Sequence, residues 1–263
     1  MSGLSAGASE VLADTPVVAR SGGGVHGLGC GRRGRRRAVA GVGRPDSVSY
    51  LLIGCLDTYT ATVIQRQLVN QDAFNPTLRL PYNLRQIDFE SAMQDVYDFF
   101  YDVNRHLKDK DLPRLDDMLR PAICSGVVSD MLTESMAKHS RSLTVNTYFN
   151  GHPDLVVKGE YPNNKAKSGE MGVEIKSTRK AGGAVDTHGG RKQWMCVFVY
   201  GVDSETEPAK DRTPLIFREV YLGQVEPDDF RRNERGALGT RTSTLDRAGI
   251  AKLREFWVYR DLS

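Results

Sequence analysis

Two short motifs carry acidic and basic side chains that could act together on a phosphate ester. Pro153-Asp154 opens a short apolar run, and Glu174-Ile175-Lys176 begins 20 residues after that aspartate. Side chains alternate along a strand, so Glu174 and Lys176 share one face and Ile175 lies on the other. If the two segments pair, two carboxylates come close, and they repel each other unless a cation such as Mg²⁺ lies between them. A lysine beside a metal-bound water can orient or deprotonate it, so the pattern predicts metal-assisted hydrolysis.

The Glu-x-Lys motif is the more distinctive half of this pattern. Pro-Asp occurs three times, beginning at Pro45, Pro153 and Pro227, and carries little information alone. Of the eleven lysines, only Lys176 has an acidic residue two positions before it. The alternative is a surface aspartate and an ordinary Glu/Lys pair on a solvent-facing strand. The occurrence of both motifs in strand-like segments favours a functional site over this alternative.

The arrangement P-D-x19-E-x-K, on a hairpin and a strand that follow a helix, resembles the PD-(D/E)XK nuclease superfamily and, within it, a type II restriction endonuclease. The resemblance covers about residues 121–221. It implies Mg²⁺-dependent cleavage of double-stranded DNA to 5′-phosphate and 3′-hydroxyl ends, with Mn²⁺ as a substitute. It also implies that Asp154, Glu174 and the carbonyl of Ile175 are metal ligands, and that Lys176 acts on the attacking water. Many members add an acid from the preceding helix, for which Glu134 is the candidate.

Two other functions stay open at this stage. One is a repair or recombination nuclease of the same superfamily, and the other is a DNA-binding module whose metal site is vestigial. The chain has no G-x-x-x-x-G-K-[ST] motif, which favours restriction, and the intact Asp/Glu/Lys set argues against a non-catalytic module. We expect no small-molecule cofactor. Because enzymes that cut both strands of a palindrome mostly act as two-fold dimers, we also expect a homodimer.

Basic residues lie between the two motifs and after them in the sequence. Lys and Arg neutralise phosphates, and Arg can bind guanine through two hydrogen bonds. Solvated surface charge is the alternative for each residue singly, but the set favours DNA contact. The candidates are Lys165, Lys167, Lys180, Arg191, Lys192, Arg231, Arg232, Arg235 and Arg241. His188 lies among them, but no second histidine stands at ligand spacing, so we expect no metal role for it.

Hydrophobic periodicity predicts helices first and strands afterwards. Apolar residues recur at three and four positions in the first half of the chain, which predicts helices over Leu51–Leu68, Ile87–Leu107 and Pro121–Lys138. The period then changes to two, which predicts strands over Leu143–Phe149, Leu155–Val157, Met171–Ser177, Trp194–Tyr200 and Leu215–Leu222. Asn150-Gly151 predicts a tight hairpin turn, and a short helix is expected to end near Trp194. Gln193 lies where some branches of the superfamily carry a glutamine, but the rest of that motif is missing.

These elements predict an α/β (mixed α+β) fold with a restriction-endonuclease-like core, in which helices flank a central mixed sheet. Residues 46–263 are expected to form one nuclease domain. It consists of a helical part at 50–140, a catalytic sheet core at about 121–222 and a basic part at 223–263.

Residues 1–45 differ from the rest in composition. They hold eleven of the 26 glycines and seven arginines against two acids, with no apolar periodicity, so we expect a disordered tail. Three interpretations stay open: the tail is inert, translation starts further along, or the tail is a nucleic-acid tether. The apolar stretch after its arginines is too short for a twin-arginine signal.

The remaining composition predicts a cytoplasmic protein. The four cysteines contain no C-x-x-C pair, which is typical of a reducing compartment rather than of a zinc or redox motif. No run reaches the roughly 18 apolar residues of a membrane-spanning helix, so no membrane partner is expected. The net charge of +3 is close to balance and by itself says little about partners.

Overall fold

The computed structural model describes residues 64–183, 185–233 and 242–261. The predicted tail at 1–45 and the first part of the helix predicted over Leu51–Leu68 lie outside the described residues. Residues 64–70, which include the end of that predicted helix, form no helix. Among the described residues, no helix is both long and apolar enough to cross a membrane.

Four α-helices are described, and the two long ones confirm the periodicity of the sequence. They are α1 (Gln86–Lys108), α2 (Leu115–Met118), α3 (Pro121–His139) and α4 (Arg247–Glu255). The predicted apolar stripe of α1, which includes Met93, Val96 and Phe100, is buried. Burial of this stripe against α3 and the sheet, more than intrinsic helix propensity, stabilises a helix of this length.

The strands form one six-stranded sheet and one small sheet. Within the described residues there are nine strands: β1 (Leu143–Val145), β2 (Leu155–Val157), β3 (Gly172–Thr178), β4 (Asp186–Thr187), β5 (Gln193–Gly201), β6 (Ile216–Val225), β7 (Phe230–Arg232), β8 (Ser243–Leu245) and β9 (Trp257–Arg260). The large sheet has the order β1-β2-β3-β5-β6-β9, with β3 parallel to β5 and the other pairs antiparallel. The small sheet has the order β4-β8-β7. The predicted mixed sheet with flanking helices is therefore confirmed.

Each face of the large sheet is covered by a different set of elements. One face carries Ile175, Phe198 and Leu222, which pack in one apolar core with residues of α1 and α3. The opposite face carries Met195, Val197 and Tyr221, which pack with α4, β8 and neighbouring residues. Since neighbours along a strand point to opposite faces, Glu174 and Lys176 project toward this second core, away from α1 and α3.

The hairpin predicted between the first two strands differs from the observed connection. β1 and β2 pair antiparallel, but β1 ends at Val145, and residues 146–154 form a loop instead of a two-residue turn. The Asn146 side chain organises this loop, because its amide binds main-chain groups of Tyr148, Pro153 and Ala166. Phe149, predicted inside the strand, is 86% exposed.

The prediction of a short helix before β5 is also wrong. Between β3 and β5 the described residues form irregular structure and the two-residue strand β4. Gly182, Gly183 and Gly189 have φ values of 93°, 81° and 98°, a conformation that other residues rarely adopt and that a helix excludes. The last strand belongs to the large sheet. β9 lies in the basic part predicted at 223–263 and pairs with β6.

Candidate active site

The pairing of β2 with β3 brings Asp154, Glu174 and Lys176 together. Asp154 directly precedes β2, and Leu155 pairs with Val173 in the antiparallel register. The Lys176 ammonium lies 2.6 Å from Oε1 of Glu174 and 3.5 Å from Oδ2 of Asp154. Two carboxylates and one ammonium thus lie close together, as the sequence predicts. The two most distant of these residues in the chain, Asp154 and Lys176, are 22 positions apart.

Main-chain groups of β3 complete this cluster. The amide N–H of Ile175 donates to Oδ2 of Asp154 at 2.8 Å, which fixes that carboxylate at the end of the sheet. The carbonyl oxygen of Ile175 accepts from the Lys176 ammonium at 3.1 Å. The ammonium therefore contacts the same three oxygen groups that the resemblance gives as metal ligands: Asp154, Glu174 and the Ile175 carbonyl.

Burial differs among the three side chains. Glu174 is 2% exposed, whereas the side chains of Asp154 and Lys176 are 28% and 24% exposed. Glu174 is therefore enclosed by the protein, whereas Asp154 and Lys176 are partly accessible to solvent. Met195 and Val197 flank the pair on β5, in register with Glu174 and Lys176, and the apolar core on this face limits access of water.

The three ionisable groups shift one another's pKa values. Burial alone would raise the pKa of Glu174, but a hydrogen bond from His152 and the charge of Lys176 outweigh it and lower the pKa to about 2. Burial raises the pKa of Asp154, with Lys176 opposing and Glu174 reinforcing this effect. Burial alone would lower the pKa of Lys176, but the charges of Glu174 and Asp154 raise it. The geometry thus favours an ionised Glu174 beside a protonated Lys176.

His152 is a member of the cluster that the sequence analysis missed. Its Nδ1 lies 3.3 Å from Oε2 of Glu174, the carboxylate oxygen that does not contact Lys176. Its ring is also 6.2 Å, centre to centre, from that of His188. The signal available in the sequence is its position directly before Pro153-Asp154, but a lone histidine in a loop carries no spacing that marks it.

The donor set fits a hard divalent cation. Two carboxylates and a main-chain carbonyl converge on one cationic group, and Mg²⁺ prefers oxygen ligands of this kind. The described residues contain no group of three or more His, Cys, Asp or Glu side chains arranged to hold a metal ion. A site formed here therefore depends on the Ile175 carbonyl, and on water, as well as on Asp154 and Glu174.

Glu134 and Gln193 do not join this cluster. Glu134 lies exposed on α3, and among the described residues no hydrogen bond or ion pair links it to Asp154, Glu174 or Lys176. α3 packs against the other face of the sheet, where Ser177 binds Ser125 and Ser129. Gln193 is buried at the start of β5 and not on a helix.

The predicted DNA-contact residues occupy three regions. Lys165 and Lys167 are exposed in the loop between β2 and β3, as expected. Lys180, Arg191 and Lys192 lie between β3 and β5, where Arg191 donates to the His188 carbonyl and Lys192 pairs with Glu226 at 3.6 Å. In the small sheet, Arg231 and Arg232 are exposed on β7, whereas Arg235 and Arg241 lie outside the described residues.

A cavity with no contact to this cluster lies elsewhere in the described residues. It has a volume of about 700 Å³ and lies between the end of α1 and the loop that joins β5 to β6. Its two largely buried arginines already have acidic partners, since Arg114 pairs with Asp116 at 3.4 Å and Arg212 with Asp117 at 2.6 Å. These ion pairs hold the loops together, so the Asp154 cluster is the stronger candidate for a functional site.

Comparisons with known proteins identify no relative of this chain. No protein-family model matches the chain, and no curated protein or solved structure matches it significantly. The chemistry of Asp154, Glu174, Lys176 and His152 is therefore the main indication of function.

Proposed function

We propose that this protein is a Mg²⁺-dependent, site-specific endodeoxyribonuclease of the PD-(D/E)XK type, similar in action to a type II restriction enzyme. The observation that carries the proposal is the convergence of Asp154, Glu174 and the Ile175 carbonyl on the Lys176 ammonium, within 2.6–3.5 Å. This is the donor set that metal-assisted phosphodiester hydrolysis requires, on the strand pair that the motif predicts.

Each residue has a separate part in the proposed reaction. Asp154, Glu174 and the Ile175 carbonyl would hold Mg²⁺, for which Mn²⁺ can substitute. When bound, the metal supplies a Lewis acid that stabilises charge on the scissile phosphate and lowers the pKa of water. Lys176 donates hydrogen bonds toward the attacking water and the phosphate. The buried setting of Glu174 strengthens these electrostatic interactions, because the local dielectric is lower than in water.

Double-stranded DNA is the proposed substrate. Exposed Lys165 and Lys167 follow β2, and exposed Arg231 and Arg232 lie on β7 in the small sheet. The small sheet is connected to the site through β4, which directly precedes His188, the ring neighbour of His152. Cleavage of both strands at one site is proposed to involve two copies of the chain, each supplying one Asp154 cluster.

A digest of mapped plasmid DNA tests this proposal. The purified full chain is incubated with supercoiled plasmid in Mg²⁺, in Ca²⁺ and in EDTA, and the products are separated by size. We expect discrete fragments in Mg²⁺ and none in EDTA, because hydrolysis needs the metal. The fragments should be rejoined by DNA ligase, which requires 5′-phosphate and 3′-hydroxyl ends.

The products also separate the related functions. A ladder of random fragments would support a nuclease without site specificity, and so would contradict the restriction assignment. Intact plasmid in Mg²⁺ and Mn²⁺, with retained DNA binding, would instead favour a non-catalytic DNA-binding module.

A further inference from the structure

Glu174 has a different partner on each of its carboxylate oxygens. Oε1 accepts from the Lys176 ammonium at 2.6 Å, and Oε2 faces Nδ1 of His152 at 3.3 Å. The side chain is 2% exposed, so water supplies little of its hydrogen bonding. An ionised carboxylate can only accept hydrogen bonds, and therefore Nδ1 of His152 must carry the hydrogen in this contact.

The backbone around His152 is held firmly by the neighbouring loop. The His152 N–H donates to the carbonyl of Lys167 at 3.2 Å, and its own carbonyl accepts from the Gly169 N–H at 2.7 Å. The side chain is 19% exposed, which leaves the ring few alternative positions. The imidazole is thus a fixed donor aimed at one oxygen of a buried carboxylate.

We propose that His152 is a positioning residue for Glu174: its Nδ1–H holds Oε2, so that Oε1 is directed at the place where the Lys176 ammonium lies and where the metal would bind. The inference rests on the proposed function, because it concerns the same metal site. Groups that hydrogen-bond a ligating carboxylate fix its orientation, and their loss commonly weakens metal affinity by about 10–100-fold. His152 itself contacts neither metal nor phosphate in this role.

The test measures metal affinity without DNA or turnover. Mn²⁺ is titrated into the full chain at constant pH, and bound ion is followed by electron paramagnetic resonance. His152→Ala should weaken Mn²⁺ binding by about 10–100-fold. His152→Asn should retain most of the affinity, because its amide N–H can reach the same oxygen. Thermal unfolding of each variant shows whether the fold is intact.

A matched control comes from a second histidine with the same kind of contact. Nε2 of His139 lies 2.9 Å from Oδ2 of Asp95, between α3 and α1 and on the other face of the sheet. His139→Ala also removes a histidine from a carboxylate, but it should leave Mn²⁺ affinity unchanged. In cleavage assays, His152→Ala should raise the Mg²⁺ concentration needed for half-maximal rate while the rate at saturating Mg²⁺ recovers.

The outcomes distinguish this inference from the proposed function. If Asp154→Asn abolishes Mn²⁺ binding while His152→Ala leaves it unchanged, the positioning role is overturned and the metal site stands. Equal loss in a folded His152→Asn variant would overturn the assignment of the role to the N–H. If the parent chain binds no Mn²⁺, or Asp154→Asn binds it normally, the proposed function fails and the inference with it.

Discussion

Glu174 and Lys176 form an ion pair in which each charge depends on the other. Glu174 is 2% exposed, and removing one partner of a buried pair typically costs about 3–5 kcal/mol, because the other charge is left uncompensated. Substitutions at this site should therefore preserve shape and hydrogen bonding. Glu174→Gln still accepts from Lys176 through its carbonyl oxygen, whereas alanine would leave the ammonium without that partner.

The shared oxygens of the cluster predict competition between the ammonium and a divalent ion. Lys176→Met keeps the length of the side chain but not its charge or hydrogen bonds, so Tm should fall. In the folded variant Mg²⁺-dependent cleavage should be abolished, since the group that donates toward water and phosphate is gone. The Mn²⁺ affinity of this variant should equal or exceed that of the parent, because the ammonium no longer occupies the oxygens of Asp154, Glu174 and Ile175. The measurement is an equilibrium Mn²⁺ titration beside a plasmid digest. Failure of a folded variant to bind Mn²⁺ would mean that the lysine helps to hold the metal.

The sequence predicts three members of this cluster and misses the fourth for a physical reason. Asp154, Glu174 and Lys176 are marked by motif spacing and by strand alternation, both of which are local. The contact of His152 depends on two main-chain hydrogen bonds to residues 167–169 and on the burial of Glu174. Both are tertiary properties, and no single-sequence pattern encodes them.

At the scale of elements, the two long helices are joined by one carboxylate. Asp95 on α1 accepts hydrogen bonds from three residues of α3, which are Ser135, Lys138 and His139. Burial alone would raise the pKa of Asp95, but these donors outweigh it and lower the pKa to about 2. α1 and α3 cover the same face of the sheet, so this contact supports the layer behind Ile175.

That contact gives a pH dependence of stability. An aspartate in the unfolded chain titrates near about 3.9, above the folded value of Asp95. Ionised Asp95 therefore stabilises the fold above about pH 4, and the stabilisation is lost as pH falls toward about 2. Asp95→Asn should lower Tm near neutral pH and show a shallower fall of Tm over this acid range. Thermal unfolding at several pH values, with the exposed Asp130→Asn as control, measures it. Superimposable profiles for parent and Asp95→Asn would contradict the assignment.

Strand β7 carries the exposed arginines of the small sheet. Removing one side chain that binds a phosphate should reduce the slope of log K against log salt by about 0.9. Arg231→Ala with Arg232→Ala should therefore flatten the slope by up to about 1.8, as measured by gel shift in Ca²⁺. The control variant is Lys108→Ala with Lys210→Ala, which removes the same amount of positive charge. These two lysines line the cavity near the end of α1, so the control should leave the slope unchanged. A slope that responds equally to both pairs would assign the effect to net charge alone.

The predicted elements fail where side chains or glycines override the local pattern. The helices α1 and α3 and the long strands follow from periodicity, because each has one or two faces buried in a core. β1 is shorter than predicted, and in the loop that follows it the Asn146 side chain binds the main chain of Pro153 and Ala166. The expected helix before β5 is absent from the described residues, where β4 occupies Asp186–Thr187 and Gly189 has a positive φ.

At the scale of the whole molecule, the large sheet joins distant parts of the chain. Along the chain the period of the apolar residues changes from 3.6 to 2, which predicts a mixed sheet with helices packed against it. The structure confirms this fold class. It does not predict that β9 returns to pair with β6, because Trp257–Arg260 is short and its partner is distant in sequence. Long-range pairing of this kind depends on the assembled core.

The N-terminal stretch gives a prediction for the whole chain. Deleting residues 1–45 should leave Tm and the cleavage site unchanged, because the segment has no apolar pattern with which to form a core. Non-specific DNA affinity should fall, since seven arginines are removed. Differential scanning calorimetry, plasmid digestion and gel shift measure the three properties. A truncated chain that no longer folds would contradict the prediction.

The most direct test of the central claim is the single-turnover cleavage rate of two isosteric variants. Asp154→Asn and Glu174→Gln keep the shape of the site but lose the charges that would hold Mg²⁺. Both should cut at least about a hundredfold more slowly than the parent. Loss of a group that only hydrogen-bonds a metal ligand can already lower activity by up to about a hundredfold, and these variants alter the ligands themselves. Asp130→Asn, an exposed control on α3, should cut at the parental rate and unfold like the parent. Glu174→Gln should lower Tm, because Lys176 loses a charge partner, so the assay temperature is set below the Tm of every variant. All three should bind DNA in Ca²⁺. Parental cleavage by Asp154→Asn or Glu174→Gln would contradict the assignment of this site as a nuclease centre.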